Sequence, residues 1–353
     1  MVKRGLAGRL VHDLTHRGAS AWILSALLTA FYCVLYFTDG FTGPARALGL
    51  GSKWTLYGLL YTVAVVAGGL YVVGKYRHNR YQVVRTLVVM FVQSVFAFAL
   101  PQLLVLAKQP ELYVSYFWPL KIDYFYPGYV LKTPWPFIVW TVAGSLVLVP
   151  LLGVLFGKRW YCSWVCGCGG LANTAGDPFR QLSSKSTTAW RIEKVTIHAS
   201  LGITLAVTAL VAVTSLWPGK GPQLAHFAGE ARAAYALYVS SILSGVIGVG
   251  LYPIGGTRIW CRFACPMAAL LGLIQKAGRF RIRVKKDMCI SCGLCSTYCE
   301  MGIDVRAYAQ RNEDFTRASC VGCGLCAEVC PRGVLSLTSA PRGRTELVQI
   351  RRP

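Results

Sequence analysis

Long apolar stretches, each free of Asp, Glu, Lys and Arg, recur along the first three quarters of the chain. Each is about 20 residues long or more, the length at which an α-helix crosses about 30 Å of hydrocarbon with its backbone polar groups satisfied. Pro101 and Pro150 lie inside two of them, where proline is expected to kink a helix. The six predicted spans are Gly18–Thr38, Trp54–Gly74, Thr86–Ala107, Thr133–Gly157, Val195–Gly219 and Ala233–Thr257.

The pattern changes after the sixth stretch, where charged residues and cysteines follow one another at short intervals. We therefore predict a six-span transmembrane domain over residues 1–275 and a second domain with a basic tail over residues 276–353. The predicted fold class is an α-helical polytopic membrane protein that carries a small α+β module at its C-terminal end.

Composition excludes two other classes of protein. Of the 353 residues, 54% are hydrophobic and only 14% are charged, whereas a soluble globular chain carries about 25% charged residues. Disordered chains are poor in apolar residues, so disorder is excluded as well. The net charge of +23 and the 14 cysteines then raise two questions, of orientation and of metal binding.

The distribution of Lys and Arg predicts the orientation. Thirty of the 37 lie in segments 1–17, 75–85, 158–194 and 258–353, which alternate with the weakly basic connections. Basic loops stay on the cytoplasmic side. We therefore expect both termini and the C-terminal domain in the cytoplasm, with the spans in a bacterial inner membrane. A cleaved signal peptide ending near Ala45–Ala47 is the alternative, and it would leave five spans.

Two cysteine runs in the C-terminal domain have the spacing C-x2-C-x2-C-x3-C, and Pro331 follows the second. This is the pattern of bacterial ferredoxins with two [4Fe-4S] clusters, in which the fourth cysteine of each run ligates the other cluster. Glu300 stands after the first run where proline is usual. The predicted ligands are Cys289, Cys292, Cys295 and Cys330 for cluster 1, and Cys299, Cys320, Cys323 and Cys326 for cluster 2. Zinc sites favour separated pairs of cysteines, and a cytoplasmic location disfavours disulfides.

A second cysteine set follows the fourth and sixth predicted spans, at what we expect to be the membrane edge. The sequence R-x-x-C-x3-C occurs at both places and contributes Cys162, Cys166, Cys261 and Cys265. Cysteines at i and i+4 share one face of a helix. The four are candidates for a third metal centre, for redox-active thiol pairs, or for a purely structural role. Cys168 adds a further thiol beside the first pair.

These motifs together resemble the NapH/NosR/CcoG group of membrane polyferredoxins, and NapH-like subunits most of all. The resemblance covers roughly residues 80–340 and rests on the two C-x3-C elements followed by the paired ferredoxin runs. It implies electron transfer between the quinone/quinol pool and a partner redox protein of a respiratory complex. Two alternatives stay open: a copper or thiol reductase of the CcoG type that serves as an assembly factor, and an electron-wire subunit that touches no quinone.

Other candidate sites carry weaker signals. His198 and Glu193, at the start of the fifth predicted span, are candidates for accepting protons from a quinol. Gln93 and Gln102, in the third predicted span, are candidates for bonding a quinone carbonyl or a neighbouring helix. The aromatic segment Glu111–Trp135 is expected to form an interfacial belt, and a docking surface for a periplasmic partner is the alternative. Since topology explains the basic excess, and a basic run beside a membrane contacts anionic lipid, we expect lipid as a partner and no nucleic acid.

Overall fold

Five helices of the computed structural model, which describes residues 18–217 and 222–340, are long and apolar enough to cross a membrane. They match the first five predicted stretches. The fifth begins at Thr187 rather than Val195, because the Ser186 hydroxyl caps it by accepting a hydrogen bond from the backbone of Ala189 at 3.1 Å. The five spans are Ala19–Phe37, Lys53–Lys75, Arg80–Leu106, Trp135–Phe156 and Thr187–Leu216. Residues 1–17 and 341–353, predicted to be cytoplasmic, lie outside the described residues.

The sixth predicted span differs from the prediction and is not among these five. An α-helix over Pro222–Tyr235 continues into a π-helix over Ala236–Ile247 and then ends, ten residues before the predicted Thr257. The following segment is glycine-rich, and the hydroxyl of Ser25 donates to the carbonyl of Gly250 at 2.7 Å. The helix therefore starts earlier than expected, within residues that carry charge, and the end of the predicted stretch is irregular.

Pro101 and Pro150, the two prolines expected to kink their helices, are each preceded by a π-helical segment. Val92–Ala99 comes before Pro101, and Gly144–Leu148 comes before Pro150. A proline ring clashes with the carbonyl four residues earlier in a regular α-helix. A π-helical turn is the local disturbance expected at such a point, and both helices continue beyond their proline.

Two connecting segments fold back among the spans. In the aromatic segment between the third and fourth spans, Phe117 is buried and the backbone of Trp118 donates to the Ser145 hydroxyl at 3.0 Å, in the middle of the fourth span. The middle of this segment, around Phe117, is thus packed among the helices, whereas its end at Leu131 and Trp135 is exposed. On the other side, the segment after the fourth span lies along the second span, where Tyr61 donates to the carbonyl of Gly167 at 2.7 Å.

The C-terminal part holds an antiparallel pair of strands, Arg281–Val284 and Leu335–Thr338, and several short helices. It packs on one end of the bundle, which we call the ferredoxin end. The short helices of the described chain are Thr42–Ala47, Ile122–Phe125, Pro127–Val130, Arg159–Cys162, Gly167–Asn173, Asp177–Leu182, Tyr252–Gly255, Ile259–Phe263, Pro266–Ala277, Leu294–Thr297, Val305–Gln310 and Leu325–Glu328.

Candidate metal centres

The four cysteines assigned to cluster 1 line one cavity, together with Pro331 and Val334. Three come from the first run and the fourth from the second run, which is the exchange that the two-cluster pattern predicts. The backbone N–H of Val334 donates to the Cys330 thiol at 3.4 Å. Gly293 has φ of 78° at the turn between the second and third cysteines, a left-handed conformation that glycine adopts without strain.

The four cysteines assigned to cluster 2 also lie close to one another. Cys299, Cys320 and Cys323 each interact electrostatically with the thiol of Cys326. The thiol of Cys326 interacts with that of Cys295 as well, so the two predicted cluster sites adjoin. The backbone of Ile303 donates to the Cys299 thiol at 3.4 Å. Donors of this kind stabilise thiolate ligands and tune the potential of a cluster.

The two C-x3-C elements come together although they are about 100 residues apart in the chain. Cys162, Cys166, Cys261 and Cys265 are all buried, and the thiol of Cys265 interacts with the other three. Cys168, two residues beyond Cys166, is half-buried and adds a fifth thiol to this part of the chain.

Two tryptophans beside this cysteine group fit a site that accepts hydrogen bonds. The indole N–H groups of Trp160 and Trp260, which precede Cys162 and Cys261, are buried and have no acceptor among the described residues. Buried donors are nearly always paired in folded proteins. The inorganic sulfides of an iron–sulfur cluster would be acceptors for such donors, so the surroundings of the four thiols fit the predicted third centre.

A buried arginine connects the membrane cysteines to the ferredoxin runs. Arg258 donates through Nη1 to the Cys261 thiol at 3.7 Å and to the carbonyl of Cys162 at 3.2 Å. Through Nη2 it donates to Glu300 at 3.0 Å. Glu300 is the residue that follows Cys299, a predicted ligand of cluster 2. One guanidinium thus spans the short distance between the two cysteine sets.

Glu300 belongs to a chain of buried ion pairs. Arg180 donates to Glu300 at 2.8 Å and to Asp177 at 2.8 Å, and Lys75 donates to the same aspartate at 2.7 Å. Burial alone would raise the pKa of Glu300, but the nearby arginines outweigh it and lower that pKa to about 2. The carboxylate is therefore ionised at any physiological pH, and each buried charge in the chain has an opposite partner.

Hydrogen bonds to the second ferredoxin run hold the C-terminal part against the spans. The side chains of Gln82 and Arg85 donate to the carbonyl of Cys323 at 2.8 Å and 2.9 Å. The hydroxyl of Ser163, between the two cysteines of the first C-x3-C element, donates to the carbonyl of Val321 at 2.7 Å. All the cysteine sets therefore belong to one packed unit.

The two proton-acceptor candidates have separate surroundings. Glu193 is buried and forms an ion pair with Arg262 at 2.7 Å. His198 is exposed, and its Nδ1 lies 2.6 Å from the carbonyl of Lys194 in the same helix. Both polar atoms of the Gln93 side chain form hydrogen bonds within the protein. The hydroxyl of Tyr61 donates to its oxygen at 3.2 Å, and its nitrogen donates to the carbonyl of Val165 at 2.6 Å.

Sequence reasoning missed the residues that join the cysteine sets. Glu300 was noted only as a departure from the usual proline, and Arg258 only as part of a short repeat. A charged residue in place of proline directly after a ligand was the available signal. Among the described residues no three His, Cys, Asp or Glu side chains already stand in metal-binding geometry. The ligand assignments therefore stay predictions that rest on spacing, proximity and the nature of the donors.

Comparison with protein families supports the iron–sulfur interpretation. A family described as "4Fe-4S dicluster domain" matches residues 282–337. A family described as "4Fe-4S binding domain" matches residues 138–186 and 237–285, the two regions that contain the C-x3-C elements. The chain is a relative of the membrane polyferredoxins. No solved structure matches it.

The proteins similar to this chain include ones named for electron transport. YccM of Escherichia coli, whose name describes an electron transport protein, is 27% identical over 46% of this chain and 47% of its own. MauN of Methylorubrum extorquens, a methylamine utilization ferredoxin-type protein, is 31% identical over 44% of this chain and 54% of its own. The regulatory protein NosR of Pseudomonas aeruginosa is 24% identical over 48% of this chain and 23% of its own. The match thus spans about half the length of YccM and MauN, and the nearness to NapH stays a prediction.

Proposed function

We propose that this polyferredoxin passes electrons between the quinone/quinol pool and a partner redox protein, as a subunit of a respiratory complex. The observation that carries the proposal is the position of Arg258, which contacts both the thiol of Cys261 and the carboxylate of Glu300 next to Cys299. Membrane cysteines and ferredoxin cysteines are thereby neighbours in one packed unit, as an electron relay requires.

The proposed relay has three sites: cluster 1, cluster 2 and a third centre. The third site is formed by Cys162, Cys166, Cys261 and Cys265. Bound [4Fe-4S] clusters supply one-electron carriers whose potentials depend on charge and on hydrogen bonds to sulfur. The protein contributes the thiolate ligands, the backbone donors and a buried environment that excludes water. Cluster 2 would connect the other two sites, because the thiol of Cys326 interacts with that of Cys295 and because Cys299 directly precedes Glu300, the partner of Arg258.

The proposed topology has six spans and both termini in the cytoplasm of a bacterium. The Pro222–Tyr235 helix and its π-helical continuation to Ile247 supply the sixth crossing. An even number of crossings agrees with the strongly basic segments at the ferredoxin end. The basic run between Lys276 and Lys286 would then face the cytoplasm, where it suits contact with anionic lipid or an acidic partner protein.

The test is anaerobic EPR on the purified, oxidised protein after addition of a menaquinol analogue, with dithionite as the reference reductant. We expect both reagents to reduce the clusters. Cys326→Ser removes a predicted cluster ligand and should lower the reducible signal, while Cys33→Ser, in the first span, should leave it unchanged. Reduction by dithionite but not by quinol would contradict a quinol site in this chain.

The additional thiol of Cys168 supports a second candidate function, a copper or thiol reductase. It lies two residues from Cys166 in the chain, where the two thiols could form a redox-active pair, and soft thiolates also select Cu(I). Metal analysis of the purified protein separates the candidates. Iron at the C-x3-C site, lost in Cys265→Ser, favours the electron relay. Copper there, or a disulfide that forms on oxidation, favours the reductase.

A further inference from the structure

The C-x3-C cysteines lie beside the middle of the spans and not beside their ends. Tyr61, which donates to the carbonyl of Gly167 next to Cys166, is 14 residues from the end of the second span at Lys75, or about 21 Å along the helix axis. Gln93, which donates to the carbonyl of Val165, is the central residue of the third span. The first C-x3-C element therefore reaches roughly halfway through the bundle from the ferredoxin end.

The second element also reaches into the apolar part of the bundle. The hydroxyl of Ser200 donates to the carbonyl of Ala264, the residue before Cys265. Ser200 lies in the Thr187–Leu216 helix, six residues beyond Lys194, or about 9 Å along the helix axis. The second element therefore lies inside the uncharged stretch, and the greater depth of the first element rests on its contacts with the second and third spans.

The aromatic segment approaches the same point from the opposite end of the bundle. Tyr161, next to Cys162, donates to the carbonyl of Ser115 at 3.0 Å. A Cβ placed on Gly167 would lie only 2.7 Å from the hydroxyl of Tyr116. The ring of Phe117 packs on Gly144 near the middle of the fourth span. The two connecting segments that fold back among the spans, one before and one after the fourth span, are the re-entrant segments. They thus meet inside the bundle, with the C-x3-C cysteines where they touch.

We propose that the third centre is located in the interior of the membrane and passes electrons on toward the face opposite the ferredoxin module. This inference rests on the third centre of the proposed function. An electron that enters at the ferredoxin end would pass through the third centre to a one-electron acceptor at the other face, such as a metal-containing redox protein. The third centre would be oxidised as this acceptor is reduced. No bond is made or broken and no proton is needed in this transfer.

The environment of the cysteines suits this role. Arg258 and Glu300 close the ferredoxin side, and the aromatic residues Tyr116 to Trp118 cover the opposite side. The parts of the two connecting segments that adjoin the cysteines, at Phe117 and Tyr161, are buried within the protein, which is where non-helical backbone is tolerated at membrane depth. A centre halfway across divides one long electron transfer into two shorter ones.

The location is tested by EPR relaxation in dithionite-reduced proteoliposomes. The signal of the third centre is identified as the one that Cys265→Ser removes. We expect a doxyl group at the end of the lipid acyl chain to enhance its relaxation more strongly than a water-soluble dysprosium complex does. The signals of clusters 1 and 2 should show the reverse order. A third signal that responds mainly to the aqueous complex, or no third signal, would overturn the inference.

The direction is tested with vesicles that contain ferricyanide and receive dithionite from outside, since neither anion crosses the bilayer. Wild-type protein and Cys33→Ser should reduce the internal ferricyanide at equal rates. Cys166→Ser should lower the rate at least tenfold while dithionite still reduces clusters 1 and 2, which shows that the variant is folded. An unchanged rate in Cys166→Ser would refute transfer through the third centre. The outcome of quinol-dependent cluster reduction in detergent does not depend on the outcome of this vesicle assay. Failure of the proposed quinol function and failure of transfer through the third centre can therefore be told apart.

Discussion

Arg258 and Glu300 form a buried ion pair with 3.0 Å between Nη2 and Oε1, and both side chains are at most 1% exposed. Arg258 precedes the second C-x3-C element and Glu300 follows the first ferredoxin run, so the pair joins the two cysteine sets. Arg180 shares the same carboxylate. A proline at position 300, as is usual after such a run, would offer neither the charge nor these bonds.

Neutralising Glu300 should destabilise the protein strongly. In Glu300→Gln, two guanidinium groups lose their buried counter-charge, and breaking a buried pair in this way costs about 3–5 kcal/mol. Thermal unfolding of the purified protein in detergent measures the loss. The control is Glu313→Gln, whose ion pair with Arg311 is about half exposed and should matter by roughly 0–1 kcal/mol. Equal melting temperatures for the two variants would show that the buried pair contributes no stability.

Replacing Arg258 should change the potential of the third centre. Lysine keeps the positive charge but cannot reproduce the guanidinium's simultaneous contacts with Cys261, Cys162 and Glu300. Loss of the hydrogen bond to the Cys261 sulfur makes the oxidised cluster relatively more stable. We expect Arg258→Lys to lower the midpoint potential by on the order of 60 mV, the one-electron equivalent of about 1.4 kcal/mol. An EPR-monitored redox titration measures this shift.

An unchanged midpoint potential of the third centre in Arg258→Lys would show that the hydrogen bond from Arg258 to the Cys261 sulfur does not tune this centre. The two ferredoxin clusters provide an internal reference in the same titration. Cluster 1 should keep its potential, because none of its cysteines contacts Arg258 in the described structure. An equal shift of all signals would indicate a general loss of folding.

The sequence predicted the elements whose signal is local. Five of the spans follow from apolar length alone, and the grouping of the ferredoxin cysteines follows from their spacing. The contacts between distant segments could not be predicted. The approach of Arg258 to Glu300 and the depth of the first C-x3-C element arise from packing among several spans, which periodicity does not encode.

The sixth stretch and the aromatic segment show two different reasons for a wrong expectation. Absence of charge identified Ala233–Thr257, but its glycine-rich end does not continue the helix, and the helix that forms begins earlier at Pro222. The segment around Trp118 looked interfacial because it is aromatic and lies between spans. Burial of Phe117, Tyr124 and Tyr126 and the hydrogen bond from the Trp118 backbone to Ser145 make the middle of the segment part of the core, while Trp135 at its end stays exposed.

Iron content distinguishes three centres from two. With three [4Fe-4S] clusters the protein would hold about 12 iron atoms, and loss of one ligand set would remove about a third of them. We expect Cys265→Ser to cause that loss. Cys168→Ser should retain the iron, because Cys168 is additional to the four predicted ligands. A full iron complement in Cys265→Ser, confirmed by EPR, would exclude a centre at this site.

The close contact between Gly68 and Ala175 should control whether the third site forms. A Cβ on Gly68 would lie 2.3 Å from the backbone nitrogen of Ala175, so Gly68→Ala must push away the re-entrant segment that follows Cys166 and Cys168. Overpacking of this kind costs about 1–3 kcal/mol. We expect the variant to lose the third EPR signal and to keep those of clusters 1 and 2. Gly74→Ala, on the same helix with open space at its Cβ, is the matched control and should keep all three. Retention of the third signal in Gly68→Ala would show that the site forms without this close packing against the second span.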